Sequence, residues 1–134
     1  MDQIANMLTS IRNAQRAGHE SVTFPSSRLK LSIARILERK GFVEKVEEIS
    51  ENEIAPLLRV NLRYHRLSPT ELDPAIRGIR RVSRLGQRRY VHRNEIRKVK
   101  NGYGFAIIST PKGVMTGSEA YHAGLGGEYI CDVW

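Results

Sequence analysis

Hydrophobic residues recur at three- and four-residue spacings from Gln3 to Arg16, with Ile4, Met7, Leu8, Ile11 and Ala14 on one face. That period predicts an amphipathic helix, with Asp2 placed to cap its start and Gly18 to end it in a left-handed conformation. Arg12, Asn13 and Arg16 fall on or beside the polar side, where the arginines either solubilise the helix or touch phosphate. Ser21 to Phe24 is a short strand stopped by Pro25, after which Ser26 or Ser27 caps a second helix ending before Gly41. This helix is predicted to bury Leu29, Ile33, Ile36 and Leu37 and to leave Arg28, Lys30, Arg35, Arg39 and Lys40 outward.

Phe42 to Ile49 and Leu58 to Tyr64 then read as paired strands. Leu58, Val60, Leu62 and Tyr64 alternate with Arg59, Asn61 and Arg63, as in a sheet with one buried face. Glu44, Glu47, Glu48, Glu51 and Glu53 make the hairpin tip acidic, suited to solvent or a basic protein neighbour rather than to phosphate. The polar segment from His65 to Pro74 reads as a lobe boundary. The predicted fold is thus α/β, of the α+β kind, in two small lobes: an N-terminal α-β-α-β-β lobe over residues 1–66 and a mainly β lobe with a short helix over residues 75–134.

In the second lobe, Ile76 to Ser83 predicts a basic strand, Gly86 a turn, and Arg88 to His92 renewed extended chain. Tyr103 to Ser109 is apolar on both faces and predicts a central strand. Thr116-x-x-Glu119 is a capping box for a helix of about two turns, stopped by Gly124. In the last strand, alternation places Tyr129, Cys131 and Val133 on one face and Ile130, Asp132 and Trp134 on the other. The terminal Trp is expected to dock as core.

Charge sharpens this picture. The 134 residues carry a formal charge of +8, and the segment from Arg77 to Lys100 alone holds ten basic residues against one acidic residue, Glu95. Interleaved Ile79, Val82, Leu85, Tyr90, Val91 and Ile96 make it folded basic surface rather than a tail. Such a field favours a polyanion, RNA or DNA ahead of an anionic membrane; a solubilising role is the competing reading. The lone Cys131 excludes a cystine framework and fits a reducing compartment. No apolar run approaches the ~18–20 residues of a membrane span, and no signal-peptide pattern opens the chain, so the expected location is cytoplasmic, an organelle-encoded protein looking the same.

Enzyme signatures are absent in context. Gly102-x-Gly104 precedes a strand, the reverse of a dinucleotide loop. His19, His65, His92 and His122 have no ligand spacing, and Cys131 sits in an apolar strand without an adjacent base. Binding outranks catalysis, and neither a cofactor nor a metal is expected.

Two sites stand out. Ser109-Thr110-Pro111-Lys112-Gly113 puts two hydroxyls, a rigid turn and a cation after the central strand, with Thr116 following at the helix entrance. Hydroxyls both donate and accept, so they can read 2′-hydroxyls and base edges in the shallow minor groove of an RNA helix. Gly124, Gly126 and Gly127 would let backbone N–H groups approach the same ligand; the alternative is that these hydroxyls and glycines only shape turns. Tyr90, flanked by Arg88, Arg89 and Arg93, either stacks on an unpaired base over phosphate-binding guanidiniums or is a core residue with its hydroxyl at the rim.

Several segments occur in an order that resembles the ribosomal protein S8 family of the small subunit in its bacterial form. They are Ile4-Ala5-Asn6-Met7-Leu8-Thr9, Ile11-Arg12-Asn13-Ala14, Pro25-Ser26-Ser27, Gly41-Phe42 and Arg81-Val82-Ser83-Arg84. Ile108-Ser109-Thr110-x-Lys112-Gly113-Val114-Met115-Thr116 and Ala123-Gly124-x-Gly126-Gly127-Glu128 follow. The resemblance implies a two-lobed structural protein that binds the central domain of 16S-type rRNA, mainly through its C-terminal lobe, and stabilises it during assembly. It implies the ribosomal proteins S5 and S12 as neighbours and, for some relatives, repression of their own operon mRNA. A non-ribosomal RNA chaperone and, last, a nucleic-acid-processing enzyme are the alternatives. Carried over residue by residue, the RNA-binding set is Ser109, Thr110, Lys112, Thr116, Tyr90, Arg84, Arg88, Arg89, Gly124, Gly126, Gly127 and Glu128. Arg12, Arg28, Lys30, Arg81, Arg93 and Arg97 are further phosphate contacts. Glu128 would orient Lys112 or accept a hydrogen bond from RNA. The family's Ser-Thr-Ser triplet falls on Ser109, Thr110 and Pro111, so its third hydroxyl is missing here. Gln3, Leu85, Arg97 and Gly117 also depart from the family pattern.

Overall fold

The computed structural model describes residues 2–50 and 55–134; the expected acidic positions Glu51 and Glu53 lie outside them. The chain divides into two compact units, residues 3–76 and residues 77–134, the latter joined by Asp2.

In the first unit, α1 (Gln3–Arg16) buries Ile4, Met7, Leu8, Ile11 and Ala14 as its period demands. Gly18 ends it at φ +73°. β1 (Ser21–Pro25) leads to α2 (Arg28–Arg39), whose N-cap Ser27 accepts a hydrogen bond from the Lys30 N–H. β2 (Val43–Ile49) and β3 (Leu57–Leu62) complete an antiparallel sheet of order β1-β3-β2. Leu58 and Val60 of the central strand are fully buried, with α1 packing on β1 and β3 and α2 on β2.

Four expectations change here. The strand that was to reach Tyr64 stops at Leu62, and β4 (Tyr64–Ser68) pairs with β5 (Glu71–Pro74) as a separate hairpin. The polar segment is therefore paired backbone inside the first unit, because polar side chains do not prevent two strands from satisfying each other's N–H and C=O groups. Leu29 is 37 % exposed and Ala34 takes its place in the core. Lys30, expected outward, is 6 % exposed. Its stem is covered while Nζ donates to the Pro25 carbonyl (3.0 Å) and lies 6.0 Å from the Phe24 ring centroid, a neutral-carbonyl and cation–π environment that replaces water.

The second unit is an antiparallel sheet of order β6-β10-β8-β9, with β7 also on β10. Its strands are β6 (Ile79–Arg81), β7 (Tyr90–Val91), β8 (Phe105–Thr110), β9 (Gly113–Thr116) and β10 (Gly127–Val133). The helix α3 (Gly117–Ala123) opens on the predicted capping box: Thr116 Oγ1 accepts from the Glu119 N–H and Glu119 Oε1 from the Thr116 N–H. Val99, Ala106, Ile108 and Ala120 form its core, joined by Val91, Ile96, Met115, Tyr129 and Trp134. Trp134 is docked: its carbonyl accepts from Arg77 and Gly78 N–H, and a Cβ on Gly78 would stand 2.3 Å from its ring.

The predicted alternation of the last strand breaks. Tyr129 pairs with Ile108 but Cys131 with Ile107, so Ile130 is an extra residue in a β-bulge. The bulge inverts the parity, which brings Tyr129 onto the same core as Trp134 and lets the Tyr129 hydroxyl donate to Asp132 Oδ1. Asp132, 1 % exposed, is also held by Arg80 Nη2 at 2.5 Å. Burial, then the Asp132 hydrogen bond, raise the Tyr129 pKa above its ordinary value.

Candidate nucleic-acid interface

β8 and β9 form a hairpin whose tip is Pro111-Lys112, with Thr110 opposite Gly113. Pro111 has no N–H to leave unsatisfied at this turn and pre-sets its own φ. Thr110 Oγ1 donates to the Gly113 carbonyl (2.8 Å) and accepts from the Lys112 N–H (3.1 Å). That hydroxyl thus clamps the tip, and Lys112 is presented at an exposed corner.

Strand register draws the two sequence-predicted sites together. Tyr90 on β7 is opposite Glu128 on β10, Glu128 is opposite Ser109 on β8, and Ser109 is opposite Val114 on β9. Directly opposed residues share a face, so Tyr90, Glu128 and Ser109 form a line across three strands. Ile108, Val91 and Met115 belong to the core on the other face. Tyr90 is 70 % exposed, which removes the core reading for its ring.

A buried serine secures the line. Ser83, without any exposed surface, donates to Glu128 Oε2 (2.5 Å) and accepts from the Arg89 N–H (3.1 Å). Arg88 Nη1 donates to the same carboxylate oxygen at 2.9 Å. Reciprocal backbone bonds between Arg84 and Gln87 close the Leu85-Gly86 turn, so residues 83–89 are clasped onto β10 with Arg84 and Arg89 exposed. Gly126 and Gly127 are required by close backbone packing. A Cβ on Gly127 would stand 2.0 Å from the Ser109 carbonyl oxygen, and one on Gly126 2.3 Å from that of Val91.

Features pointing to chemistry other than binding are few. The Cys131 thiol is buried, and burial pushes its pKa up to about 12, so it stays protonated and unreactive near neutral pH. Among the described residues no group of His, Cys, Asp or Glu could hold a metal ion, and no helix is long and apolar enough to cross a membrane.

The model of the family described as Ribosomal protein S8 matches residues 2–134. Proteins named small ribosomal subunit protein uS8 are similar over 99 % of this chain. The relative from Caldanaerobacter subterraneus subsp. tengcongensis is 49 % identical with 97 % of its own length covered, and that from Thermus aquaticus 48 % with 98 % covered. The chain belongs to the ribosomal protein S8 family.

Family motifs and observed geometry agree at some positions and part at others. Ser109, Glu128 and Tyr90 are aligned across three strands and Arg88 is paired to Glu128, while Arg84, Arg89 and Lys112 are exposed on the adjoining loops. Thr116 has no exposed surface, and its hydroxyl is spent on the helix cap, so it is a structural residue rather than a surface contact. Gly124 is the left-handed C-cap of α3, at φ +72°. Glu128 pairs with Arg88 rather than Lys112. Among the further basic residues, Arg81 is occupied internally, donating to Asp2 and to the Ile130 carbonyl (2.7 Å). Arg93 donates to the Tyr121 carbonyl and lies 4.2 Å from that ring. Arg12, Arg28 and Arg97 are exposed. Ser83 was missed as a functional residue although it lies inside a family motif, because its partner is 45 residues away in sequence.

Proposed function

We propose that this protein is a non-catalytic, structural constituent of the small ribosomal subunit that binds 16S-type rRNA in its central domain and stabilises it during assembly. The observation that carries this reading is the Tyr90, Glu128, Ser109 line flanked by Arg84, Arg88, Arg89 and Lys112. The arginines and lysine supply salt-sensitive attraction to phosphate. Ser109 adds a donor and acceptor for 2′-hydroxyls and base edges, and the exposed Tyr90 ring a platform for an unpaired base. The half-buried Glu128 clasp fixes these groups before RNA arrives, which lowers the entropy lost on binding.

In this reading the protein acts on the ribosome, in cytoplasm or organelle, with the ribosomal proteins S5 and S12 as neighbours. An mRNA of its own operon that mimics the rRNA site would engage the same edge.

The test is affinity for a central-domain rRNA fragment against a helix-only control over a salt series. Wild type should prefer the fragment strongly. Ser109→Ala should lose about five-fold, the worth of one net hydrogen bond, and Tyr90→Ala about ten-fold, both with the salt slope unchanged. Equal binding of wild type to both RNAs would refute the specific-site reading.

A further inference from the structure

The loop leading into β8 is a second concentration of cations around an exposed ring, at the opposite end of that strand from the Pro111-Lys112 tip. Lys100 and Asn101 both hold positive φ, 49° and 57°, and Gly102 follows at 95°. Left-handed backbone at two successive side-chain-bearing residues is uncommon and persists only where surrounding bonds enforce it. Here the Val99 carbonyl accepts from both Gly102 and Gly104 N–H (2.9 and 3.2 Å), and Tyr103 N–H donates to the Lys100 carbonyl (3.1 Å). Val99 is itself buried in the core, so the loop is anchored at its neck.

The product of this constraint is an outward aromatic. Tyr103 is 86 % exposed, more than Tyr90. Lys100 Nζ is held 4.7 Å from the Trp134 ring centroid, and Arg97 and Lys98 are exposed just ahead of the loop. No Asp or Glu occurs from Ile96 to Ser118. A protein-binding tyrosine is ordinarily set among apolar neighbours, with lysines depleted; a ring among cations suits a nucleobase with its phosphates.

We propose that Tyr103 is a second RNA contact, its ring stacking on an unpaired base while Arg97, Lys98 and Lys100 hold the adjoining backbone. This rests on the RNA-binding reading above and extends it to a site that the Ser109 edge does not include. The six residues of β8, Phe105–Thr110, separate the two sites by about 20 Å. An RNA reaches both only if it extends about 20 Å from the element gripped by Ser109 and Tyr90, so the short fragment in the test is cut to less than that length.

The test uses the full chain and two RNAs: a short fragment holding one internal loop, and the entire central domain. Tyr103→Ala should weaken binding to the entire domain by roughly ten-fold, leave the short fragment's affinity unchanged, and leave the melting temperature unchanged. Tyr103→Phe should retain wild-type affinity for both. Equal affinity of Tyr103→Ala and wild type for the entire domain would overturn the proposal, as would an equal loss on both RNAs. Failure of wild type to prefer either RNA over a plain helix would instead overturn the rRNA reading beneath it.

Discussion

Ser83 Oγ donates to Glu128 Oε2 at 2.5 Å, joining a buried hydroxyl to a carboxylate 45 residues further along the chain. The same hydroxyl accepts the Arg89 N–H, and the same carboxylate oxygen accepts from Arg88. One small side chain thus ties the basic loop to the strand that carries the candidate site.

Ser83→Ala should therefore act on stability and binding together. Losing a hydrogen bond to a charged group and leaving the Arg89 N–H without its acceptor should cost about 2–3 kcal/mol in urea unfolding. RNA affinity should fall as well, because Arg88 and Arg89 lose their fixed positions. A variant that is destabilised by that amount and binds RNA as wild type would disconnect the clasp from recognition.

Thr116→Ala separates cap from contact. Removing the N-cap hydroxyl should destabilise by about 1 kcal/mol, whereas affinity for the central-domain fragment should stay at the wild-type value. Thr116→Ser, which keeps the hydroxyl, should recover most of the stability. A selective loss of affinity would return Thr116 to the interface.

Gly127→Ala should be more damaging than its one added methyl suggests. The Cβ would stand 2.0 Å from the Ser109 carbonyl oxygen, so β8 and β10 would have to move apart. A cost of about 1–3 kcal/mol is expected in chemical unfolding, with loss of RNA preference because Ser109 and Glu128 are the residues displaced.

Alkaline pH should weaken the fold. The Cys131 thiol titrates near 9.0 in its reference state but at about 12 when buried. Above pH 9 the unfolded chain loses that proton while the folded chain keeps it, so its contribution is complete below pH 9 and is lost as pH rises towards 12. Tyr129, raised by burial and by Asp132, weakens stability in the same direction at high pH. Stability measured from pH 8 to 11 should fall, and Cys131→Val should make the fall shallower without abolishing it. Thiol reagents at neutral pH should modify Cys131 only as fast as the protein opens.

The sequence by itself determined the elements whose cause is local. The three- and four-residue period of α1, the Ser27 cap of α2 and the Thr116/Glu119 box of α3 are relations within a few residues, and each appears as predicted. The basic character of the second unit and the family motifs are linear features too. Tertiary structure decided what depends on partners distant in sequence. The Ser83–Glu128 clasp joins residues 45 apart in sequence, and the Arg80–Asp132 pair joins residues 52 apart. The Ile130 bulge reversed the faces of the last strand, which alternation cannot foresee because an inserted residue leaves no periodic trace. The line from Tyr90 through Glu128 to Ser109 is a matter of register, and register is set by pairing between strands, not by any one strand's own sequence.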